Sequence, residues 1–170
     1  EEPYNKYAIQ GRNWFNASLS WSGNARNLYL FGEMAADRNG EKAIMTGMVL
    51  SADPKADISV LYRNISPEYA AVSGAAFTES TQPVNEEGLY LGLSLRPAMG
   101  WTLGLYADLY RSPWLKYNVD GPSVGSEYFL EARYVPDKLL ELYSRIRFSG
   151  SEQNAAAGGS LPFLVRKNRV

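Results

Sequence analysis

The chain has 170 residues, 45% of them hydrophobic, with 17 basic against 18 acidic side chains and a net charge of -1. That is enough apolar material for one domain, and there is no basic stripe of the kind that tracks a phosphate backbone. Histidine and cysteine are both absent, which removes the usual zinc ligands, any thiol nucleophile, any disulfide and the commonest general base near neutral pH.

The first periodic segment runs from Asn13 to Ser22, with Phe15, Ala17, Leu19 and Trp21 alternating against Asn16, Ser18 and Ser20. A period of two predicts a strand, and Gly23-Asn24 reads as the turn that ends it. Asn27 to Ala36 is the next strand and Glu41 to Ala52 the third, where Ile44, Met48 and Leu50 compete with Met45 and Val49 and leave the orientation undecided. Asp53-Pro54 turns into Asp57 to Asn64, with Ile58, Val60 and Tyr62 opposed to Ser59 and Arg63.

Alternation is clearest downstream. Gly88 to Arg96 places Leu89, Leu91, Leu93 and Leu95 on one face and Tyr90, Gly92, Ser94 and Arg96 on the other. Trp101 to Arg111 repeats this, Ser126 to Tyr134 sets Tyr128, Leu130, Ala132 and Tyr134 against four polar-face positions, and Leu139 to Phe148 closes the series. Each segment is close to the nine to eleven residues that a tilted strand needs to cross hydrocarbon. No apolar run is long enough for a membrane-crossing helix.

Connections sort by length. Ser22 to Arg26, Asp53 to Lys55, Arg96 to Gly100 and Val135 to Lys138 are brief, while 65–87, 112–125 and 150–160 are long. Brief turns at one end and long loops at the other are the habit of bacterial outer-membrane barrels, whose brief turns are periplasmic. The expected fold is all-β, an antiparallel up-and-down transmembrane β-barrel or a contiguous section of a larger one, with about eight to ten strands in a single region over 1–170. With brief turns periplasmic, the first strand descends from outside; either Tyr4 to Ile9 is the remnant of an ascending strand, or strands precede it. Leu161 to Val170 is a candidate last strand without the usual terminal aromatic residue, and a section of a larger wall is the expectation.

The two faces then take different solvents. Trp21, Trp101 and Tyr134 lie on the apolar face beside brief turns, and Tyr62, Tyr128 and Phe148 on that face beside long loops, the expected aromatic belts at the two membrane interfaces. The opposite face carries Glu33, Arg63, Arg96, Asp108, Glu127, Glu131, Arg133, Glu141, Arg145 and Arg147. Charge is costly in lipid, so this face is expected to line water or a polar plug. A soluble barrel or sandwich, such as a carbohydrate-binding module, shows the same alternation with the faces exchanged. That alternative stays open at this level.

Several segments resemble a known family. They are Tyr62-Arg63-Asn64-Ile65-Ser66-Pro67-Glu68-Tyr69, Phe77-Thr78-Glu79-Ser80, Asn85 to Leu93, Trp101 to Asp108, Pro113-Trp114-Leu115-Lys116-Tyr117 and Asp120 to Gly125. Together, over residues 28–148, they resemble the large outer-membrane proteins of Bacteroidetes that carry a helix-hairpin-helix region ahead of a β-barrel. The resemblance implies an outer-membrane location and barrel architecture more than an activity. No helix-hairpin-helix signature occurs in the chain, so no nucleic-acid role is carried over.

Catalysis is not expected. Asp108, Glu127, Glu131 and Glu141 have the residue types of an acid-base pair or a hard-cation site, but arginines at neighbouring polar-face positions make cross-strand ion pairs the simpler reading. In the loop, Trp114, Lys116 and Tyr117 are candidates for contact with a sugar or a partner protein, against the simpler role of pinning the loop to the rim. Ala70 to Thr78 is a candidate inward-folding constriction, and Ala155 to Ser160 reads as a small-residue linker. No metal or cofactor is expected. The expected partners are the lipid bilayer of the bacterial outer membrane and, in a docking role, other outer-membrane or periplasmic proteins.

Overall fold

The computed structural model describes residues 6–7, 13–71, 76–80, 82–117 and 119–154, and the backbone of 164–169. Nine strands follow one another: β1 (Asn16–Ala25), β2 (Leu28–Asp37), β3 (Lys42–Asp53), β4 (Ala56–Ile65), β5 (Glu86–Leu95), β6 (Trp101–Ser112), β7 (Ser123–Tyr134), β8 (Leu142–Asn154) and β9 (Leu164–Arg169). They form one sheet in sequence order, every neighbouring pair antiparallel. This is the all-β up-and-down arrangement that the alternation predicts. The sheet is open, because among the described residues neither β1 nor β9 pairs with a second strand.

Strand ends differ from the sequence reading for local reasons. Gly23-Asn24 is not the first turn: β1 continues to Ala25, which pairs with Leu28, so Arg26-Asn27 is a two-residue hairpin loop. Arg26 carries the positive φ of 56° that such a tight loop needs at its first central position. β8 begins at Leu142, later than expected, since the Asp137 carboxylate accepts hydrogen bonds from the amides of Leu139 (2.8 Å) and Leu140 (3.0 Å) and holds them out of the ladder. At the other end β7 begins at Ser123 and β8 runs to Asn154, which shortens the two adjacent long connections. Most of Tyr4 to Ile9, and all of Ala155 to Ser160, lie outside the described residues.

Register settles β3. Met45 pairs with Glu33 and Arg63, and Val49 with Ser59, so Ile44, Thr46, Met48 and Leu50 take the other face, the one that carries the leucines of β5. The sheet therefore has one mainly apolar face and an opposite face that gathers most of the charges. The apolar face is the open one. Leu19 is 71% exposed, Met34 50%, Leu91 43% and Ile146 43%, and no described segment packs over them. The buried apolar residues Leu61, Ile65, Tyr69, Ala70 and Val119 sit instead on the polar face or in the connections that fold across it. Among the described leucines only Leu61 is buried.

The turn between β5 and β6 depends on Gly100. Its φ is +78°, its carbonyl accepts from the Val135 amide at 2.8 Å, and a Cβ there would stand 2.7 Å from the Val135 carbonyl oxygen. Gly100→Ala combines a left-handed backbone with a clash against main chain, and we expect it to lower stability by about 1–3 kcal/mol. Denaturant unfolding in detergent micelles, compared with Gly23→Ala where a Cβ meets nothing within 4 Å, measures the difference.

Candidate functional site

The polar face is an ion-paired wall. At its centre the Arg63 guanidinium, 0% exposed, donates from Nε to Glu86 at 2.6 Å and through both terminal nitrogens to Asp108 at 2.9 and 3.1 Å. Three neighbouring strands, β4, β5 and β6, are thereby tied side chain to side chain. The arginine lies flat across Gly88, where any Cβ would come within 2.5 Å of the guanidinium carbon. Glycine is what makes the burial geometrically possible.

Around this centre the other charges pair across adjacent strands or at the brief-turn rim. Arg147 lies 3.4 Å from Glu127, Arg145 pairs with Glu131 directly opposite it, Arg133 with Glu141 at 2.7 Å, and Arg96 with Asp57 at 2.6 Å. Tyr106 donates its hydroxyl to Glu127. All ten charges expected on one face stand on that face or at its rim, although Glu33 makes no ion pair among the described residues. An aromatic row crosses the same face: Tyr90 and Tyr106 lie 5.3 Å apart and Tyr106 and Phe129 5.1 Å apart at an interplanar angle of 19°. Tyr106 is held between its neighbours, so its ring faces are occupied by other rings.

The described parts of the β4–β5 connection, 66–71, 76–80 and 82–85, fold across this face as a strap. Ser66 donates to Glu41 at 2.6 Å; the Ala70 amide donates to Asp37 at 3.1 Å, and the Ala70 carbonyl accepts from Trp14 and Asn16. Farther on, Phe77 packs edge-on against Tyr90 at 5.3 Å and beneath the Arg63 guanidinium at 5.5 Å. The amides of Glu79 (3.1 Å) and Ser80 (3.3 Å) then donate to the Glu86 carboxylate. A cleft of about 190 Å³ remains between strap and wall, bounded by Ser18, Glu33, Met45, Tyr69 and Phe77. Partial burial, and then the like charges of Glu127, Asp108 and Glu86, hold the Glu79 carboxyl above its ordinary value.

The β6–β7 connection is pinned by Asn85, whose φ of 57° suits an asparagine at the end of the strap. Its side chain accepts from the Trp114 amide at 2.7 Å and donates to the carbonyls of Trp114 and Leu115. Lys116 bridges back to Val119, and burial pushes its ammonium below the usual lysine range. Tyr117 is 72% exposed. Trp114 is thus held to the rim and Tyr117 projects from it.

The six aromatics of the apolar face are placed unevenly. Trp101 and Tyr134 pair directly at the brief-turn end and stack at 4.6 Å. Tyr62 is near the long-connection end, where its hydroxyl donates to Glu87, which also accepts from Arg111 at 2.7 Å. Trp21 stands near the middle of β1, since that strand runs past the turn expected at Gly23. Tyr128 and Phe148 pair well inside β7 and β8, because both strands extend beyond their expected ends.

Glu86, Asp57 and Glu79 join the site without having been foreseen. Extending the β5 alternation backwards from Gly88 assigns Glu86 to the charged face, and Asp57 follows from Ser59 and Arg63 in the same way. Nothing in the sequence pattern places Glu79. Among the described residues no group of three carboxylates is arranged to hold a metal ion. Comparison with known protein families, curated proteins and solved structures finds no match for this chain.

Removing Arg63 leaves two carboxylates in a dry setting. We expect Arg63→Met to cost about 3–5 kcal/mol, the usual penalty for breaking a buried pair. Adding Glu86→Gln and Asp108→Asn to the same chain should restore most of that loss in micelle unfolding experiments. An undiminished loss in the triple variant would assign the effect to packing instead of charge.

Proposed function

We propose that this chain forms part of the wall of a bacterial outer-membrane β-barrel, with the leucine face toward lipid and the ion-paired face toward an aqueous or plugged lumen. The observation that carries this reading is the combination of exposed large apolar side chains on β1, β2 and β4 to β8 with a fully buried arginine on the opposite face. A soluble fold would bury the leucines, because each large apolar side chain removed from water contributes about 1.5–3 kcal/mol. In a bilayer the same exposure is favourable, and the charges must then turn inward.

The role is passage of solutes or docking of partner proteins in the cell envelope, without catalysis. The resemblance to large outer-membrane proteins of Bacteroidetes accords with that location. The strap across the polar face favours a narrowed lumen over a wide one. Met99 and Leu139, almost fully exposed in the two brief turns at one end of the sheet, are points open to protein partners. Carbohydrate stacking along the aromatic row is disfavoured by the mutual covering of its rings.

The lipid-facing assignment is tested by a pair of substitutions on one strand. Leu105→Arg should cost about 2–4 kcal/mol of stability in lipid vesicles if the site lies near the bilayer midplane, whereas Thr102→Arg on the polar face should cost little. Urea titration of vesicle-folded protein reads both. A chain that stays monomeric in buffer without detergent, and that tolerates Leu105→Arg, would oppose the membrane reading.

A further inference from the structure

We propose that the long-connection end of the apolar face carries a phospholipid site, with the lipid phosphate on Arg111 and an acyl chain in the groove beside Leu109. The inference deepens the membrane-wall reading and rests on it. Register sets Arg111 on the face where a charge is least expected. It pairs across the sheet with Glu87 and Val124, in line with Leu105 and Leu109 of its own strand. Among the described strand side chains it is the one arginine that shares a face with the leucines of β5 and β6.

Its neighbours aim one edge of the guanidinium away from the protein. Nε, at 2.7 Å, and one terminal nitrogen lie on a single carboxylate oxygen of Glu87, and the other oxygen accepts from the Tyr62 hydroxyl at 3.1 Å. Glu87 is thus fully occupied and fixes the direction of Arg111. The second terminal nitrogen has no hydrogen bond among the described residues, and the side chain is 64% exposed. An open guanidinium edge with adjacent N–H donors matches the oxygens of a phosphate.

Directly beside it lies a shallow groove of about 440 Å³, bounded by Tyr62, Leu89, Leu109, Arg111, Val124 and Tyr128. Ser126 forms its floor, a small residue between the larger Val124 and Tyr128 on one strand and opposite Leu109 on the next. The groove is therefore apolar along its length and cationic at one end, which is the polarity of a lipid.

Spacing puts the cationic end at headgroup level. The stacked Trp101 and Tyr134 mark the other end of the same face, and ten residue steps from Trp101 to Arg111 on β6 cover about 33 Å along the strand. At the usual tilt of about 40° that is about 25 Å across the membrane, the height of the lipid-facing band of such barrels. Phosphates then lie where the open edge of Arg111 points. A covering protein segment would have to bring its own acceptor to that level. Acyl chains alone are no better off in the groove than elsewhere in a bilayer, so the phosphate contact supplies the preference.

Native mass spectrometry of the protein in maltoside micelles, titrated with phosphatidylglycerol, tests this. Phosphatidylglycerol should be retained at concentrations where diacylglycerol with the same chains is not, and a large excess of inorganic phosphate should not displace it. Arg111→Gln should weaken retention about ten-fold, and Arg111→Lys should recover part of the loss. Arg145→Gln, which removes a similarly exposed arginine from the opposite face, should bind as the parent does. Equal retention of diacylglycerol, displacement by inorganic phosphate, or an equal loss in Arg145→Gln overturns the site. If the site fails while Leu105→Arg still lowers stability in vesicles, the wall reading stands without it; if Leu105→Arg is tolerated as well, both fall.

Discussion

The burial of Arg63 between Glu86 and Asp108 is the constraint from which the two-faced character of this sheet follows. A guanidinium cannot be taken from water without full compensation, and here its hydrogen bonds all go to the next two strands in the sheet, β5 and β6. Meeting that requirement fixes the register of β4, β5 and β6 to a single residue, since a slip of one position would turn Arg63 or its partners to the opposite face. Once these three strands are fixed, the leucines of β5 and β6 are committed to the face opposite Arg63, and β7 and β8 continue the same alternation through Asp108 opposite Glu127 and Glu131 opposite Arg145.

Glycines and rings adapt the wall to that register. Gly88 admits Arg63 on the polar face, Gly125 lies under the Tyr110 ring, and on the apolar face Gly32 lies under Trp21. In each case a large side chain leans over a strand neighbour that has no side chain of its own, which recovers packing that an exposed face would otherwise lack. The strap adds what the sheet cannot supply. Its Phe77 and the Glu79 and Ser80 amides close over Arg63 and Glu86, so the most buried charges in the described structure are covered by a connection and not by a second layer of sheet.

Much of this was legible in the sequence because a period of two leaves little freedom. Leu89 to Leu95, Trp101 to Leu109 and Leu130 to Phe148 could share a face in only one way, and the ten charges fell together for the same reason. Strand ends were less legible. Gly23-Asn24 has the composition of a turn, yet the hairpin forms three residues later, where pairing of Ala25 with Leu28 extends the ladder; local turn chemistry was outweighed by ladder length. Asp137 withheld Leu139 and Leu140 from β8 through side-chain hydrogen bonds that composition does not announce. Glu86 escaped notice because Glu86 and Glu87 are adjacent and must fall on opposite faces, one into the buried network and one into the rim with Arg111 and Tyr62. The position of Glu79 depends on how a connection folds over the sheet, and alternation carries no information about that.

Pairing on this scale limits what the polar face can do by itself. Arg145 with Glu131, Arg133 with Glu141 and Arg147 with Glu127 are short-range dipoles whose fields fall away within a few ångströms and are screened further by salt over about 8–10 Å. A wall of this kind repels neither sign of solute strongly, and its pairs mainly hold adjacent strands in place. Selectivity, if the face lines a lumen, must then come from width and from whichever charge is left uncompensated. The connection that packs Phe77 on Tyr90 and the Glu79 and Ser80 amides on Glu86 would narrow such a lumen. In that case the connection would govern how much space solutes have, while the strands beneath it keep it in position.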